Sequence, residues 1–546
     1  MTSERNQPEL GINNGTTGNA AIVYLIGCRD AAVGIAIVLS IFLASLDLNI
    51  IATAMPHITD EFHSLNDVGW YAFALFLTVS AAQLLWGKAF RYFPIKTVYL
   101  ISIAVFKVGG VICVSGVARN STKLIVGRAI TSFDVAGTFG GSYITIGVSA
   151  PPEKRPAMTG FMGSACAIAP IIGPLIGGAL TDRDFFVNIP CVALAAASII
   201  FLFKVPDAVK LAEATLKERL LQMDILGFIF ITASIVCCLL ALQWGGAIQR
   251  WSNSDVIGTL VGSALFRVLF GLIGWYQGER ALLLRSTFRN PTIAKGCAFC
   301  FLISGSFYIL LYYLPIYFQV IRGADATGSG IRTLPLILGL ALVQIITGIS
   351  VGKIGVINPF LIAGGILTTI SCGLLMTLQP DSSSSKWIGY QALAGIGLGF
   401  CSTVYIIVVQ NIVKADEIAT ATRLETEILS MGGALIVSAA QSLFQNELLN
   451  IIPHTNPSIS PSSIFSIGAS HVQTSFPPDE LSGIIAAYMR GIRMAIALSI
   501  AMAGTATLVT LSQGWFRMQQ EVGSGDDIQD GIELEQRSES YSRKIT

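Results

Sequence analysis

The sequence predicts an all-α, polytopic membrane protein with fourteen transmembrane helices, arranged as two six-helix bundles with two helices inserted between them. The first observation is composition: of 546 residues, 53% are hydrophobic and only 12% are charged, whereas soluble domains have about 25% charged residues. Mean hydropathy is +0.67. The second observation is a series of apolar runs about 20 residues long, the length that an α-helix needs to cross a bilayer core of about 30 Å. The third is a sequence repeat that relates the first half of the chain to the second.

Fourteen apolar runs follow one another along the chain. Their continuous apolarity, in place of the ~10-residue alternating segments of a membrane barrel, predicts helices. Pro315 and the Glu425/Glu427 pair interrupt the ninth and thirteenth runs, whose ends are therefore the hardest to place. The runs are 31–54, 69–90, 97–118, 124–148, 157–179, 186–205, 225–244, 255–276, 293–315, 331–352, 356–378, 387–412, 424–444 and 492–514.

These runs predict the domain organisation. The N-terminal bundle is 31–205, the inserted helices are 225–276, and the C-terminal bundle is 277–518, with a cytoplasmic linker at 206–224 and an extracellular loop at 445–490. The polar segment 1–30 and the acidic segment 519–546 have the composition of disordered tails.

The Lys and Arg residues of the loops predict the orientation. The loops on the side of the N-terminus have sixteen, including Arg423 before the thirteenth run, and the opposite loops have nine. Cytoplasmic loops have the excess of basic residues, so both termini are expected to be cytoplasmic. The formal net charge of +1 gives no electrostatic reason to expect a nucleic-acid partner.

A short motif occurs twice. Five residues separate Gly87-Lys88 from Pro94, and five separate Gly352-Lys353 from Pro359, at an offset of 265 residues. The repeat favours two parallel-topology halves with a cleft between them, as in transporters. Gly-Lys and Pro are also common at cytoplasmic turns, so chance is the alternative. We expect Gly87, Lys88 and Arg91 to form a cytoplasmic gate loop.

Charged residues within spans are costly and are therefore functional candidates. Asp47 in span one and Arg128 in span four lie at similar depths, as do Lys107 in span three and Asp134 in span four. At 1.5 Å per residue the second pair reaches the bilayer midplane, and we expect it to form a buried ion pair. For Asp47 and Arg128 two interpretations stay open: a role in proton coupling or gating, and a purely structural ion pair.

Span five is unusually rich in glycine and proline. Small residues allow close helix approach and prolines bend a helix, so the pattern favours a purposeful kink. The residues concerned are Gly163, Pro170, Gly173, Pro174, Gly177 and Gly178.

The symmetry predicts that spans one, four, nine and twelve line the cleft. Their wall is mostly apolar, which suits a bulky hydrophobic ligand better than a phosphate or a sugar. The candidate substrate residues, with two from neighbouring spans, are Asn49, Gln83, Tyr308, Tyr312, Gln344, Tyr405, Gln410 and Asn411. No nucleophile–base set or nucleotide loop is recognisable, so we expect no enzyme activity, no cofactor and no metal, and core packing rather than chemistry for Cys297-x-x-Cys300.

From about Leu46 to Leu448 the chain closely resembles the major facilitator superfamily, specifically its fungal fourteen-helix drug:proton antiporter group. The resemblance is an ordered set of motifs: Leu46-Asp47, Ala54-Met55-Pro56-His57-Ile58, Asn66-Asp67-Val68-Gly69-Trp70-Tyr71, Gly127-Arg128-Ala129-Ile130, Gly173-Pro174-Leu175-Ile176-Gly177-Gly178, Gln243-Trp244-Gly245-Gly246, Gly278-Glu279-Arg280-Ala281, Tyr312-Tyr313-Leu314-Pro315-Ile316-Tyr317-Phe318-Gln319 and Leu334-Pro335-Leu336. It implies that Asp47 and Arg128 match the motifs of spans one and four, and Gly173 and Pro174 the antiporter motif of span five.

The resemblance implies alternating access, with export of small amphipathic molecules against inward proton flow. The expected partners are a small hydrophobic substrate, protons and the lipid bilayer, for a monomer in the plasma membrane or, alternatively, a vacuolar or endosomal membrane. The chain departs from the family pattern at Lys88, Lys107, Asp134, Glu425 and Glu427. A siderophore or nutrient importer of the same fold, and a weakly active or non-transporting sensor, are the alternative functions.

Overall fold

The computed structural model describes residues 34–46, 68–113, 121–151, 153–179, 215–245, 249–282, 290–413, 418–455 and 472–515. The regular structure in these segments is helical, beyond one isolated bridge between Gly245 and Gln249. The predicted all-α membrane fold is thereby confirmed. Asp47, Asn49 and the sixth apolar run, 186–205, lie outside the described residues.

Five helices of the first half coincide with the first five predicted spans. Helix α1 contributes Ile41 and Ala44 to the buried core of this half, where they meet Tyr99 of α3 and Tyr143 of α4. The hydroxyls of Tyr99 and Ser142 lie 2.7 Å apart and join α3 to α4. The helices are α1 (Gly34–Leu46), α2 (Val68–Tyr92), α3 (Ile95–Cys113), α4 (Ser121–Ser149) and α5 (Arg155–Ala179).

Two helices follow the first half as an antiparallel pair, α6 (Ile225–Trp244) and α7 (Ser254–Gln277). Each of the hydroxyls of Ser234 and Ser263 donates to the other residue's carbonyl at 2.9 Å, which joins the two helices inside the bilayer. The pair packs on α2 through Leu84 and Ile231. A short helix before it, Leu216–Leu221, has a capping box in which the carboxylate of Glu218 accepts from the backbone N–H of Thr215 at 2.8 Å, and these hydrogen bonds lower the pKa of Glu218.

The second half contains the remaining predicted spans, with one difference. The twelfth run is continuous in sequence, but the structure divides it into two helices at Ser402 and Thr403. Since both residues are small and the flanks are apolar, hydropathy gives no sign of the break. The helices are α8 (Pro291–Ile316), α9 (Ala326–Ile354), α10 (Asn358–Met376), α11 (Ser384–Cys401), α12 (Val404–Ile412), α13 (Ile418–Thr455) and α14 (Pro478–Leu511).

Three predicted boundaries are wrong. Pro315 lies inside α8, which continues as a π-helical turn over Tyr317–Ile321, a common way to absorb the hydrogen bond that a proline lacks. The segment 445–490, expected to be an extracellular loop, is helical at both ends, because α13 runs to Thr455 and α14 begins at Pro478. Arg423, counted among loop residues, is buried within α13. Eight helices in the described part are long and apolar enough to cross a membrane.

The two halves meet along two seams, α5 against α9 and α2 against α13. At the first seam a Cβ added to Gly160 would lie 2.7 Å from the carbonyl oxygen of Gln344, so the backbones touch only because this residue is glycine. The hydroxyl of Ser164 donates to the carbonyl of Ala341 at 2.7 Å across the same seam.

Candidate functional site

A cavity of about 150 Å³ lies where the halves meet. The first half contributes residues of α1, α4 and α5, and the second half contributes residues of α8, α9, α12 and α13 together with the break before α12. The lining residues are Ser45, Phe139, Tyr143, Gly163, Cys166, Ala167, Ile303, Ser304, Phe307, Tyr308, Leu311, Tyr312, Leu340, Gln344, Ser402, Thr403, Ile406, Thr426 and Leu429.

The described part of the cavity wall is rich in aromatic side chains. Phe307 and Tyr308 have ring centroids 5.1 Å apart, and Phe139 and Tyr143 face them from α4 at a mutual distance of 5.7 Å. None of the described lining residues has a charged side chain. The described lining residues stabilise apolar and aromatic surface, and none of them is a counter-ion for a charged ligand.

Gln344 provides the clearest polar contact point. Its side chain is buried, and within the described part of the chain its Oε1 has no hydrogen-bond donor. The amide lies against Gly163, because a Cβ at Gly163 would overlap the side chain of Gln344. A ligand with an O–H or N–H group can satisfy this buried acceptor, which otherwise costs about 1–3 kcal/mol.

Four of the residues predicted for this region line the cavity: Gly163, Tyr308, Tyr312 and Gln344. Four others lie elsewhere in this conformation. Gln83 donates to Ser430 at 2.7 Å and so joins α2 to α13. Gln410 donates to the carbonyl of Tyr143 at 3.0 Å, and Asn411 donates to the carbonyl of Ile407 at 2.7 Å. Tyr405 donates to Gln513 and packs on Phe299.

Sequence reasoning missed part of the wall. Phe139 and Tyr143 belong to the predicted lining span four, and their aromatic side chains four residues apart were an available signal. Cys166 and Thr426 lie on α5 and α13, which the symmetry argument did not include. Their inclusion follows from the seams, because the helices that join the halves also border the space between them.

Helix α4 of the first half contains two buried charged residues. Arg128 and Asp134 are both fully buried. Asp134 accepts from the hydroxyl of Thr138 at 3.1 Å and borders a second, small space of about 10 Å³ beside Ser40 of α1. The room there is comparable with that needed by one water molecule.

The proposed partner of Asp134 is only partly described. Ser102 and Thr138 have hydroxyls 3.3 Å apart, and Gly109 lies against the backbone of Thr131. This antiparallel register places the backbone of Lys107 level with residues 133 and 134. The Lys107 side chain lies outside the described residues, as does Asp47, so both ion pairs stay predictions.

The expected gate loop is helical. Gly87, Lys88 and Arg91 lie in the last turns of α2, which ends at Tyr92. Lys88 is buried, donates to the carbonyl of Arg280 at 3.3 Å, and lies 5.9 Å from the ring centroid of Tyr92. These contacts connect the end of α2 to the segment that leads into the second half.

The glycine- and proline-rich stretch of the fifth span is also continuous helix. Gly173, Pro174, Gly177 and Gly178 all lie within α5, which ends at Ala179. Of the predicted small residues in this helix, Gly163 has a described role, since it admits the side chain of Gln344.

Comparison with known proteins identifies the family. The model of the Major Facilitator Superfamily matches residues 37–438. The chain belongs to this superfamily. Its helical fold, the two seams and the cavity between the halves are therefore those of a multi-pass membrane transporter.

The superfamily relatives in fungi cover nearly the whole chain. An "MFS-type transporter GME11371" of Pestalotiopsis microspora is 38% identical over 522 residues, covering 94% of this chain and 95% of the relative. A "Probable efflux pump gsfJ" of Penicillium aethiopicum is 40% identical over 518 residues, covering 95% of this chain and 93% of the relative. The solved human organic anion transporter MFSD10 shares the fold, with a TM-score of 0.53, 12% identity, and coverage of 88% of this chain and 100% of that one.

Proposed function

We propose that this transporter exports a small, uncharged, aromatic or otherwise hydrophobic molecule by alternating access, coupled to proton influx. The observation on which the proposal depends is the cavity whose wall comes from both halves and contains no charged residue among those described. The Penicillium aethiopicum relative named as an efflux pump supports the export direction. In this proposal both termini are cytoplasmic and the membrane is the plasma membrane.

The wall indicates how such a molecule binds. Its rings pack against Tyr308 and Phe139, which approach from opposite halves. A hydroxyl or N–H group of the ligand donates to Oε1 of Gln344 on α9. Because contacts to both halves form only when the cavity is closed around the ligand, its binding favours the occluded state over either open state.

Proton coupling is assigned to the buried charges of the first half. Ionised groups inside a membrane protein are costly and occur mainly where they function. Arg128 and Asp134 are buried in α4, and we propose that Asp47 and Lys107 are their respective partners. Protonation of Asp47 or Asp134 removes the attraction between that carboxylate and its cation. This local change in attraction couples proton binding to the movement of the halves.

Efflux of the neutral dye Nile red from proteoliposomes with an imposed pH gradient tests the proposal. We expect dye movement that requires the gradient and is reduced about tenfold by Tyr308→Ala, since a buried aromatic contact is worth about 1.5 kcal/mol or more. Tyr276→Ala is the matched control, because Tyr276 is 93% exposed on α7.

Three results would contradict parts of the proposal. An equal loss of dye efflux in Tyr308→Ala and Tyr276→Ala would mean that the cavity is not the binding site. Uptake instead of efflux in oriented vesicles identifies an importer. Movement that is indifferent to the pH gradient removes the proton coupling while leaving the transport assignment intact.

A further inference from the structure

A buried cation joins the two halves at the end of the bundle where α4 ends and α13 begins. Arg423 of α13 is 1% exposed. Its Nη1 donates to the carbonyl of Ala136 at 2.6 Å and its Nη2 donates to the carbonyl of Gly137 at 3.2 Å, both in α4. The guanidinium also lies 5.7 Å from the ring centroid of Phe90 in α2.

The slot that receives this side chain is made of glycines. A Cβ added to Gly140 of α4 would overlap the guanidinium of Arg423, and a Cβ added to Gly87 of α2 would lie 2.9 Å from its Cβ. Since α2 and α4 belong to one half and α13 to the other, the Arg423 side chain can occupy the slot only while the halves are in contact here. Both hydrogen bonds described for this guanidinium are therefore lost when the halves separate at this end.

One turn further along α13, a carboxylate is available to replace those contacts. Glu427 is 2% exposed, and neither of its carboxylate oxygens has a hydrogen-bond donor among the described residues. Residues at i and i+4 share a helix face, and their side chains can reach each other. Arg423 and Glu427 are thus neighbours on one helix with no hydrogen bond between them in this conformation, because the guanidinium donates to α4.

A second carboxylate on the same helix is a natural control. Glu425 is also fully buried, but it faces α8, where the thiol of Cys297 donates to its Oε1 at 3.9 Å and Gly296 lies against it. Since α8 and α13 belong to the same half, this contact does not depend on how the halves are arranged.

We propose that Arg423 and Glu427 form a two-position gate between the halves. With this end closed, Arg423 binds the α4 carbonyls of Ala136 and Gly137. With it open, Arg423 leaves the glycine slot and pairs with Glu427 on its own helix. The inference rests on the alternating access proposed above, because it requires that the halves separate at this end.

The gate makes opposite predictions for its two members. Removing Arg423 deletes the contacts of the closed state and shifts the protein toward the open state. Removing the charge of Glu427 deletes the partner needed in the open state and shifts the protein toward the closed state. A purely structural role for the two residues does not predict opposite shifts.

The test measures the reactivity of a cysteine introduced at Ala419. This residue lies on α13, but packs in the core of the other half, so it is accessible to a membrane-impermeant maleimide only when this end is open. The assay uses the full chain in membranes, with the parent chain as the background for its native cysteines. Labelling is compared from both sides of the membrane.

We expect Arg423→Ala to raise the labelling rate at residue 419 about tenfold, the value of one hydrogen bond to a charged donor. Gly140→Ala leaves Arg423 in the sequence but fills its slot, so it is also expected to raise the labelling rate. The double variant should be labelled no faster than Arg423→Ala alone. Glu427→Gln should lower the rate. Glu425→Gln and Gly110→Ala, which has open space around it, should leave the rate unchanged.

Two results overturn the gate. One is an unchanged labelling rate in both Arg423→Ala and Gly140→Ala. The other is a rise in Glu427→Gln equal to that in Arg423→Ala. An Ala419→Cys protein with no other change that is never labelled at residue 419 from either side contradicts alternating access itself, so failure of the proposed function is distinguishable from failure of the gate.

Discussion

Single glycines determine how closely the helices of this transporter approach. Gly395, Gly397 and Gly399 of α11 resemble a nucleotide-binding loop in spacing, but they lie in a membrane helix. A Cβ added to Gly397 would lie 2.6 Å from the backbone nitrogen of Thr368, and one added to Gly399 would lie 2.8 Å from the carbonyl oxygen of Leu340. Their function is packing: each removes a methyl group where two backbones touch.

The packing role predicts a contrast between two glycine substitutions. Gly395→Ala forces a Cβ onto the carbonyl of Leu336 in α9, and we expect it to destabilise the protein by about 1–3 kcal/mol, as overpacked cores do. Gly373→Ala in α10 has open space around the new methyl group and favours helix, so it should be neutral or slightly stabilising. Thermal unfolding in detergent measures both, and an equal effect of the two substitutions contradicts the argument.

At the scale of elements, hydropathy predicts where helices are but not which way they face. The described spans agree with the apolar runs because a bilayer demands a minimum apolar length. The break before Val404 and the continuation of α8 past Pro315 follow from local backbone contacts that apolarity does not encode. For the same reason Tyr308 and Tyr405, both predicted for the cavity, have different surroundings: one lines the cavity and the other packs on Phe299.

The inserted pair α6 and α7 is fixed at its ends by one carboxylate. Asp224 has a left-handed backbone, with φ of 45°, and its side chain accepts from the N–H of Gly227 at 2.8 Å and from that of Leu282 at 2.7 Å. It therefore caps α6 and holds the segment that follows α7.

Replacement of Asp224 separates these contributions. Asp224→Ala loses both hydrogen bonds and places alanine at a positive φ, so we expect a loss of about 2–4 kcal/mol. Asp224→Asn keeps one acceptor oxygen and tolerates the backbone, and should cost less than half as much. Limited proteolysis of the linker at 206–224 and thermal unfolding report the difference. Equal losses in the two variants would contradict the argument, because the acceptor oxygen and the backbone tolerance that Asn keeps would then contribute nothing.

At the scale of the whole molecule, the two seams and the inserted pair restrict how the halves can move. The α6–α7 pair lies against the α2–α13 seam, because Ile231 of α6 packs in one buried cluster with Leu84 of α2 and Ala434 of α13. The internal repeat of the sequence predicts two halves and a space between them. It does not predict which helices form the seams, because that depends on the rotation of each helix about its axis, which side-chain contacts decide.

A cross-link at the other seam tests whether the halves move as units. Ser164 of α5 and Ala341 of α9 are in direct contact across it, and alternating access requires these helices to shift relative to each other. Oxidation of the double variant Ser164→Cys/Ala341→Cys is therefore expected to stop dye efflux, and reduction should restore it. The control pair is Ser234→Cys/Ser263→Cys, whose hydroxyls lie 3.4 Å apart within the inserted hairpin. A cross-link there joins two helices within the inserted hairpin and should leave efflux intact. If efflux continues at the full rate with α5 and α9 cross-linked, the two halves do not move relative to each other at this seam, and the transport motion lies within one half.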